Sequence, residues 1–234
     1  MNRIVVITGA TGGYGLATAK KFAAAGDTVI AVSRNAEKVA AVVRENGFAD
    51  GYTLDVTDYA GWLTFKKYLL GQYGRIDVLV NNAGGGVKIA EIEEFERQDI
   101  DRTISLNLNS VIYACSIFAD VFKAQKSGTI INISSVCANH CWRDWSVYAA
   151  AKAGVLNFTK SLYVELRPYG ARATCVIPAA ASTGFQKSAG IGEITQSLTT
   201  DDIASTVFFA ANMPQGAVVQ DITVWGMSQE MDPI

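Results

Sequence analysis

The run Arg3–Gly26, RIVVITGATGGYGLATAKKFAAAG, decides how the whole chain is read. Its first part, RIVVIT, is continuous and β-branched, the pattern of a strand buried on both faces. Its last part, GLATAKKFAAAG, has helical spacing and closes on Gly26. Between them lies TGATGGYG, Thr8–Gly15. Glycines here permit positive φ and let the backbone come close to a pyrophosphate. The helix that follows offers free N–H groups and a positive dipole end to the phosphates. A plain glycine-rich turn has the same composition, but a position between a clear strand and a clear helix favours dinucleotide binding.

Working outward, the same alternation continues. DTVIAVS, GYTLDVT, IDVLVNNAG, GTIINISS, RATCVIP and DITVWG read as further strands. NAEKVAAVVRENG and YAGWLTFKKYLLGQYG read as helices, with longer helices over Asp99–Ala124 and Ser146–Arg167. A late helix, TTDDIASTVFFAANM, has Thr200 as its cap and Asp201 and Asp202 at its positive end. The fold class is therefore α/β: a doubly wound, Rossmann-type, mostly parallel sheet of about seven strands with helices on both faces. One domain spanning residues 1–234 is expected, because no linker, repeat or low-complexity segment interrupts the chain. Ligands on such sheets bind beyond the carboxyl ends of the strands.

Composition narrows the function classes. Half of the 234 residues are hydrophobic, enough for a large core, and the net charge of −2 gives no reason to expect nucleic acid or an anionic membrane surface. The N-terminal apolar run is too short for a signal peptide, and no stretch approaches the roughly 18 apolar residues of a membrane span. Cys115, Cys137, Cys141 and Cys175 form no Cys-x-x-Cys pair, so reduced cytoplasmic thiols are expected and no metal site.

Chemistry concentrates in SSVCANHCWRDWSVYAAAK, Ser134–Lys152. Tyr148 and Lys152 stand at i and i+4, on one helix face. A free phenol, with a pKa of about 10, is a poor base at neutral pH. An ammonium at about 4 Å contributes on the order of 4 kcal/mol at an effective dielectric of 20, enough to bring that phenol near neutrality. The spacing thus predicts an acid–base group.

Gly9, Gly13 and Gly15 form T-G-x-x-x-G-x-G rather than G-x-G-x-x-G, followed by Asn81-Asn82-Ala83-Gly84 and Tyr148-x-x-x-Lys152. In these motifs, at these distances, the chain resembles the short-chain dehydrogenase/reductase family in its short single-domain branch. The resemblance implies an oxidoreductase that interconverts a secondary alcohol and a carbonyl by hydride transfer. It implies Tyr148 as general acid/base, Ser135 as substrate orienter, Lys152 as ribose binder and pKa depressor, and Asn107 as holder of a relay water. It assigns cofactor contacts to the turn residues Thr8, Gly9, Thr11, Gly13, Tyr14 and Gly15. Further contacts fall on Asp55 and Val56 at the adenine, on Asn82, Ala83 and Gly84, and on Pro178 and Thr183 near the nicotinamide. Where relatives that use NAD carry an acidic residue after the second strand, this chain has Ser33 and Arg34. A guanidinium pairs with a 2′-phosphate that a carboxylate would repel, so NADP(H) is expected over NAD(H). A surface arginine opening a helix is the competing reading, and Gly12 stands where many NADP-preferring relatives carry a second basic residue.

The segment between Ser135 and Tyr148 borders the substrate in this family. His140, Trp142, Arg143 and Trp145, with Phe185, either shape specificity, Arg143 clamping an anion and the tryptophans stacking on a flat group, or pack on a lid or a neighbouring subunit. Ala179 stands where the family usually has glycine. A short lid around 184–200 implies a compact carbonyl or alcohol substrate. The family's assembly implies a homotetramer through the helices containing Asn107–Ala124 and Tyr148–Arg167, or a dimer. The competing functions are an NAD-linked alcohol or polyol dehydrogenase, a nucleotide-sugar epimerase or dehydratase, and a non-catalytic NADP(H) sensor. The second suits longer chains, and the third predicts loss of Tyr148 or Lys152, both present.

Overall fold

The computed structural model describes residues 2–181, 185 and 198–229. Seven strands form one sheet: β1 (Ile4–Thr8), β2 (Thr28–Ser33), β3 (Asp50–Thr53), β4 (Val78–Asn81), β5 (Thr129–Ile133), β6 (Arg172–Pro178) and β7 (Asp221–Val224). Their spatial order is β3-β2-β1-β4-β5-β6-β7, and every pairing is parallel. The expected mostly parallel sheet is thus wholly parallel. Every residue of β1, β4 and β5 is buried, as a strand covered on both faces requires. The edge strand β7 instead alternates in exposure.

Seven helices are described: α1 (Gly13–Ala24), α2 (Ala36–Asn46), α3 (Tyr59–Tyr73), α4 (Arg97–Ile104), α5 (Ser110–Gln125), α6 (Ser146–Leu166) and α7 (Thr200–Ala211). α1 packs on α7, while α5 packs on both α3 and α6. The strand order reverses between β1 and β4, which opens a crevice at their carboxyl ends. Thr8, ending β1, is the pin of that crevice. Its Oγ1 accepts from Asn82 N at 3.0 Å and Ala83 N at 2.9 Å, and its carbonyl accepts from Asn82 Nδ2 at 2.9 Å.

Four sequence expectations change. The helix expected over Asp99–Ala124 begins at Arg97, ends at Gln125 and is divided by a π-helical turn, Ser105–Asn109. Asn107, at the centre of that turn, donates through Nδ2 to Thr103 O at 3.1 Å. Such wide turns concentrate at functional sites. The combined run Arg97–Gln125 does have the length and composition of a membrane span, against expectation, yet its Phe118 and Phe122 are fully buried within the protein core. β3 ends at Thr53 because Asp55 turns the chain, accepting from the N–H and hydroxyl of Thr57. The cap of α7 is Thr199, not Thr200, paired reciprocally with Asp202.

Candidate active site

The glycine turn builds the first wall. Gly9 and Gly13 have φ of +69° and +51°, a region L side chains rarely adopt. A Cβ on Gly15 would lie 2.3 Å from the Gly9 carbonyl oxygen, so this glycine is needed for close packing beneath the turn. α1 starts with no side-chain cap and no acidic residue in its first turn, so its N–H groups remain open to an anion.

β5 and α6 build the second wall. Ser135 Oγ accepts from Cys137 N at 3.2 Å, opening a short 3₁₀ turn, and Ser135 and Tyr148 line the same cleft. Ser134 Oγ instead donates to the Lys152 carbonyl at 2.8 Å, a structural bond between β5 and α6. Lys152 Nζ lies 5.6 Å from the Tyr148 ring centre and donates to Ile133 O at 3.0 Å. Burial holds the Lys152 ammonium down to about 8. Burial also pushes the Tyr148 phenol well above its ordinary value, with the Ser135 hydroxyl pulling weakly the other way. The structure therefore differs from the expected electrostatics. Desolvation dominates both groups, and the ammonium spends a hydrogen bond on a main-chain carbonyl.

Between these walls runs a cleft of about 650 Å³. It gathers Gly9, Thr11, Gly13, Tyr14, Asn82, Ala83, Gly84, Ser135, Tyr148, Lys152 and Pro178 from the expected set, with Trp142, Trp145 and Phe185. The last two are stacked at 5.8 Å, and each meets Tyr148 edge-on. Tyr14 OH reaches the Ala179 carbonyl at 3.5 Å. Ala179 itself donates to Val224 O at 2.9 Å and so extends the β6–β7 ladder without needing glycine.

Other expected residues stand back from the cleft. Thr8 and Gly15 support the turn from behind, and Ser33 Oγ meets Thr11 Oγ1 at 3.2 Å. Arg34 is exposed just before α2, while Asp55 is engaged by Thr57 and Val56 is buried in the core. Asn107 lies behind Gly84, where a glycine Cβ would meet its Oδ1 at 3.0 Å and Lys152 Nζ at 3.4 Å. His140 packs on Trp142 and Trp225. Arg143 pairs with Glu91 and Asp144 and does not line the cleft, so the expected anion clamp is absent from it. Thr183 and most of the lid around 184–200 lie outside the described residues. Among the described residues no cluster of His, Cys, Asp or Glu is placed to hold a metal ion.

Sequence reasoning missed Lys38 and Gln229, both lining the cleft. Lys38 was legible as the residue four after Arg34 on a helix. Nothing local marks Gln229.

The glycine cradle, the uncapped helix and the length of the cleft fit a dinucleotide whose reactive end reaches Tyr148. This is the constellation of a nucleotide-dependent oxidoreductase. The short chain dehydrogenase family model matches residues 3–193, and the chain belongs to the short-chain dehydrogenase/reductase family. It is 36% identical over 223 residues to a monensin polyketide synthase putative ketoacyl reductase of Streptomyces virginiae, covering 92% of this chain and 84% of that one. It is 30% identical over 239 residues to serine 3-dehydrogenase of Agrobacterium fabrum, covering 98% and 96%. A solved closed form of serine dehydrogenase complexed with NADP+ superposes with a TM-score of 0.93 at 26% identity, over 99% of this chain and 98% of that one. The protein is accordingly an oxidoreductase that uses a nicotinamide cofactor.

Proposed function

We propose that this protein is an NADP(H)-linked reductase that interconverts a small ketone or aldehyde and its alcohol, with Tyr148 as general acid/base. The observation that carries the reading is the meeting of Ser135, Tyr148 and Lys152 on one wall of the cleft that begins at the glycine turn. When bound, the nicotinamide supplies or takes up the hydride. The Ser135 hydroxyl orients the carbonyl oxygen, and the Tyr148 phenol gives that oxygen its proton. Burial keeps the proton on the phenol at neutral pH, which suits the acid's role in reduction. Lys152 and Asn107 both border Gly84, where a proton relay would leave the site.

The preference for NADP(H) is supported by Lys38 at the cleft, by exposed Arg34 four residues earlier, ahead of α2, and by the NADP+-bound neighbour. Among the described lining residues there is no carboxylate to repel a 2′-phosphate. Half-exposed Val164 on α6 is compatible with a homotetramer through α5 and α6. Four free thiols suit the cytoplasm.

The test is NADPH oxidation at 340 nm with a panel of small ketones and aldehydes, on wild type and Tyr148→Phe. Turnover that the phenylalanine variant loses supports the reading. Failure of the protein to bind either nicotinamide cofactor by calorimetry overturns it.

A further inference from the structure

The carbonyl-reductase reading leaves open which substrate the cleft selects, and one atom of its lining residues is unaccounted for. Gln229 Oε1 is buried and has no hydrogen-bond partner, and the residue lines the same cleft as Ser135 and Tyr148. A carbonyl oxygen removed from water without a donor costs about 1–3 kcal/mol, so such atoms call for an explanation. Gln229 is held in place from behind. Its N–H donates to Gly226 O at 3.0 Å, and Gly226 follows β7, whose pairing with β6 also sets Pro178 at the cleft. The unpaired oxygen therefore sits on a fixed support.

Its surroundings limit what it would meet. Trp145 and Phe185 meet Tyr148 edge-on, and Trp142 adds a third aromatic side chain to the lining of the same cleft. The cation of this loop, Arg143, is committed to Glu91 and Asp144 outside the cleft. Among the described lining residues the cations are Lys38, beyond the glycine turn, and Lys152, bonded to the Ile133 carbonyl. Among its described lining residues the cleft thus offers a neutral acceptor, aromatic faces and no guanidinium or ammonium free to clamp an anion beside them.

We infer that Gln229 is a specificity residue: its carboxamide oxygen accepts a hydrogen bond from a hydroxyl or N–H of a neutral carbonyl substrate, whose apolar body lies against Trp142, Trp145 and Phe185. The inference rests on the reductase reading for the reacting group, but not for the binding preference. It assigns this chain a substrate class unlike an amino or hydroxy acid, whose carboxylate would face an acceptor.

The experiment uses three matched ring ketones: 4-hydroxycyclohexanone, 4-methoxycyclohexanone and 4-oxocyclohexanecarboxylate. Each is titrated into the full-length protein in saturating NADP+, with tryptophan fluorescence as the readout of binding, for wild type and Gln229→Met. NADPH turnover of the same ketones is followed separately. The expected result is a preference of wild type for the hydroxy ketone, roughly fivefold over both others. That preference over the methoxy ketone falls to about one in Gln229→Met, with NADP+ affinity unchanged. No measurable preference in wild type, an unchanged preference in the variant, or tightest binding of the carboxylate each overturns the assignment. If the preference follows Gln229 but no ketone turns over, the reductase reading fails and the assignment stands. Turnover with an unaltered preference gives the reverse.

Discussion

Asn107 and Gly85 hold each other in both directions. The Gly85 N–H donates to Asn107 Oδ1 at 3.0 Å, and Asn107 Nδ2 donates to the Gly85 carbonyl at 3.0 Å. Asn107 is fully buried, and both of its amide hydrogens are spent, the second on Thr103. The residue is thus a clamp between the π-helical turn and the loop that follows β4. Asn107→Leu removes both hydrogen bonds to Gly85 and the one to the Thr103 carbonyl. We expect a stability loss of about 2–4 kcal/mol in urea unfolding, with weakened NADPH binding because Gly85 lines the cleft. A relay role alone would lower kcat and leave unfolding unchanged.

Lys38 and Arg34 together should read the 2′-phosphate. Each charge-assisted contact at an exposed site is worth roughly 3- to 30-fold in affinity. Calorimetry on Lys38→Ala and Arg34→Ala should show NADPH binding weakened by about that factor in each, with NADH little changed. Equal losses for both cofactors would assign the two residues to folding or to the shared pyrophosphate instead.

Gly12 and Gly15 make opposite predictions within one turn. A Cβ on Gly12 meets nothing within 4 Å, and its φ of −179° suits any residue. Gly12→Arg should fold normally and tighten NADPH, since it adds a cation at the start of α1. Gly15→Ala drives a methyl into the Gly9 carbonyl and should abolish cofactor binding, with a lower Tm. Thermal melts and NADPH titrations of the two variants side by side check both outcomes.

Lys152 carries a stability cost with a definite pH signature. Its folded pKa is lowered to about 8 from an ordinary 10.5. Between those values the unfolded chain binds more protons, so this contribution to stability rises with pH across that window. Below about 8 the full burial cost is present, on the order of 3 kcal/mol. Lys152→Met should therefore be more stable than wild type at pH 7 while losing turnover. The difference should shrink as pH rises from 8 to 10, as urea unfolding of the two proteins at several pH values will reveal. The Tyr148 phenol is common to both proteins and cancels in the comparison. A pH-independent difference would place the proton elsewhere.

Tyr148→Phe removes only the phenolic oxygen from a ring that packs on Trp145 and Phe185. The fold and cofactor affinity should persist while kcat/KM for a ketone falls by about 10²- to 10⁴-fold. Retained turnover would move the acid role to another group.

Much of this was legible in the sequence because it is local. β1, the glycine turn and α1 are contiguous, so their order alone announces a phosphate-facing helix end. Tyr148 and Lys152 are one turn apart, so their shared face follows from helix geometry whatever surrounds them. The alternation of buried runs and amphipathic stretches determined a parallel sheet with its cleft at the carboxyl ends. Three things were decided only by tertiary structure. The π-helical turn depends on Asn107 meeting Gly85, twenty-two residues earlier in the chain. Arg143 pairs with Glu91, fifty-two residues before it, and is not among the residues that line the cleft. The ionisation of Tyr148 and Lys152 follows burial by distant segments rather than their mutual spacing, and Gln229 enters the cleft only because β7 pairs with β6. Periodicity records what neighbours in sequence share. Desolvation and hydrogen-bond partnership depend on what the fold brings together, and these set the chemistry of the site.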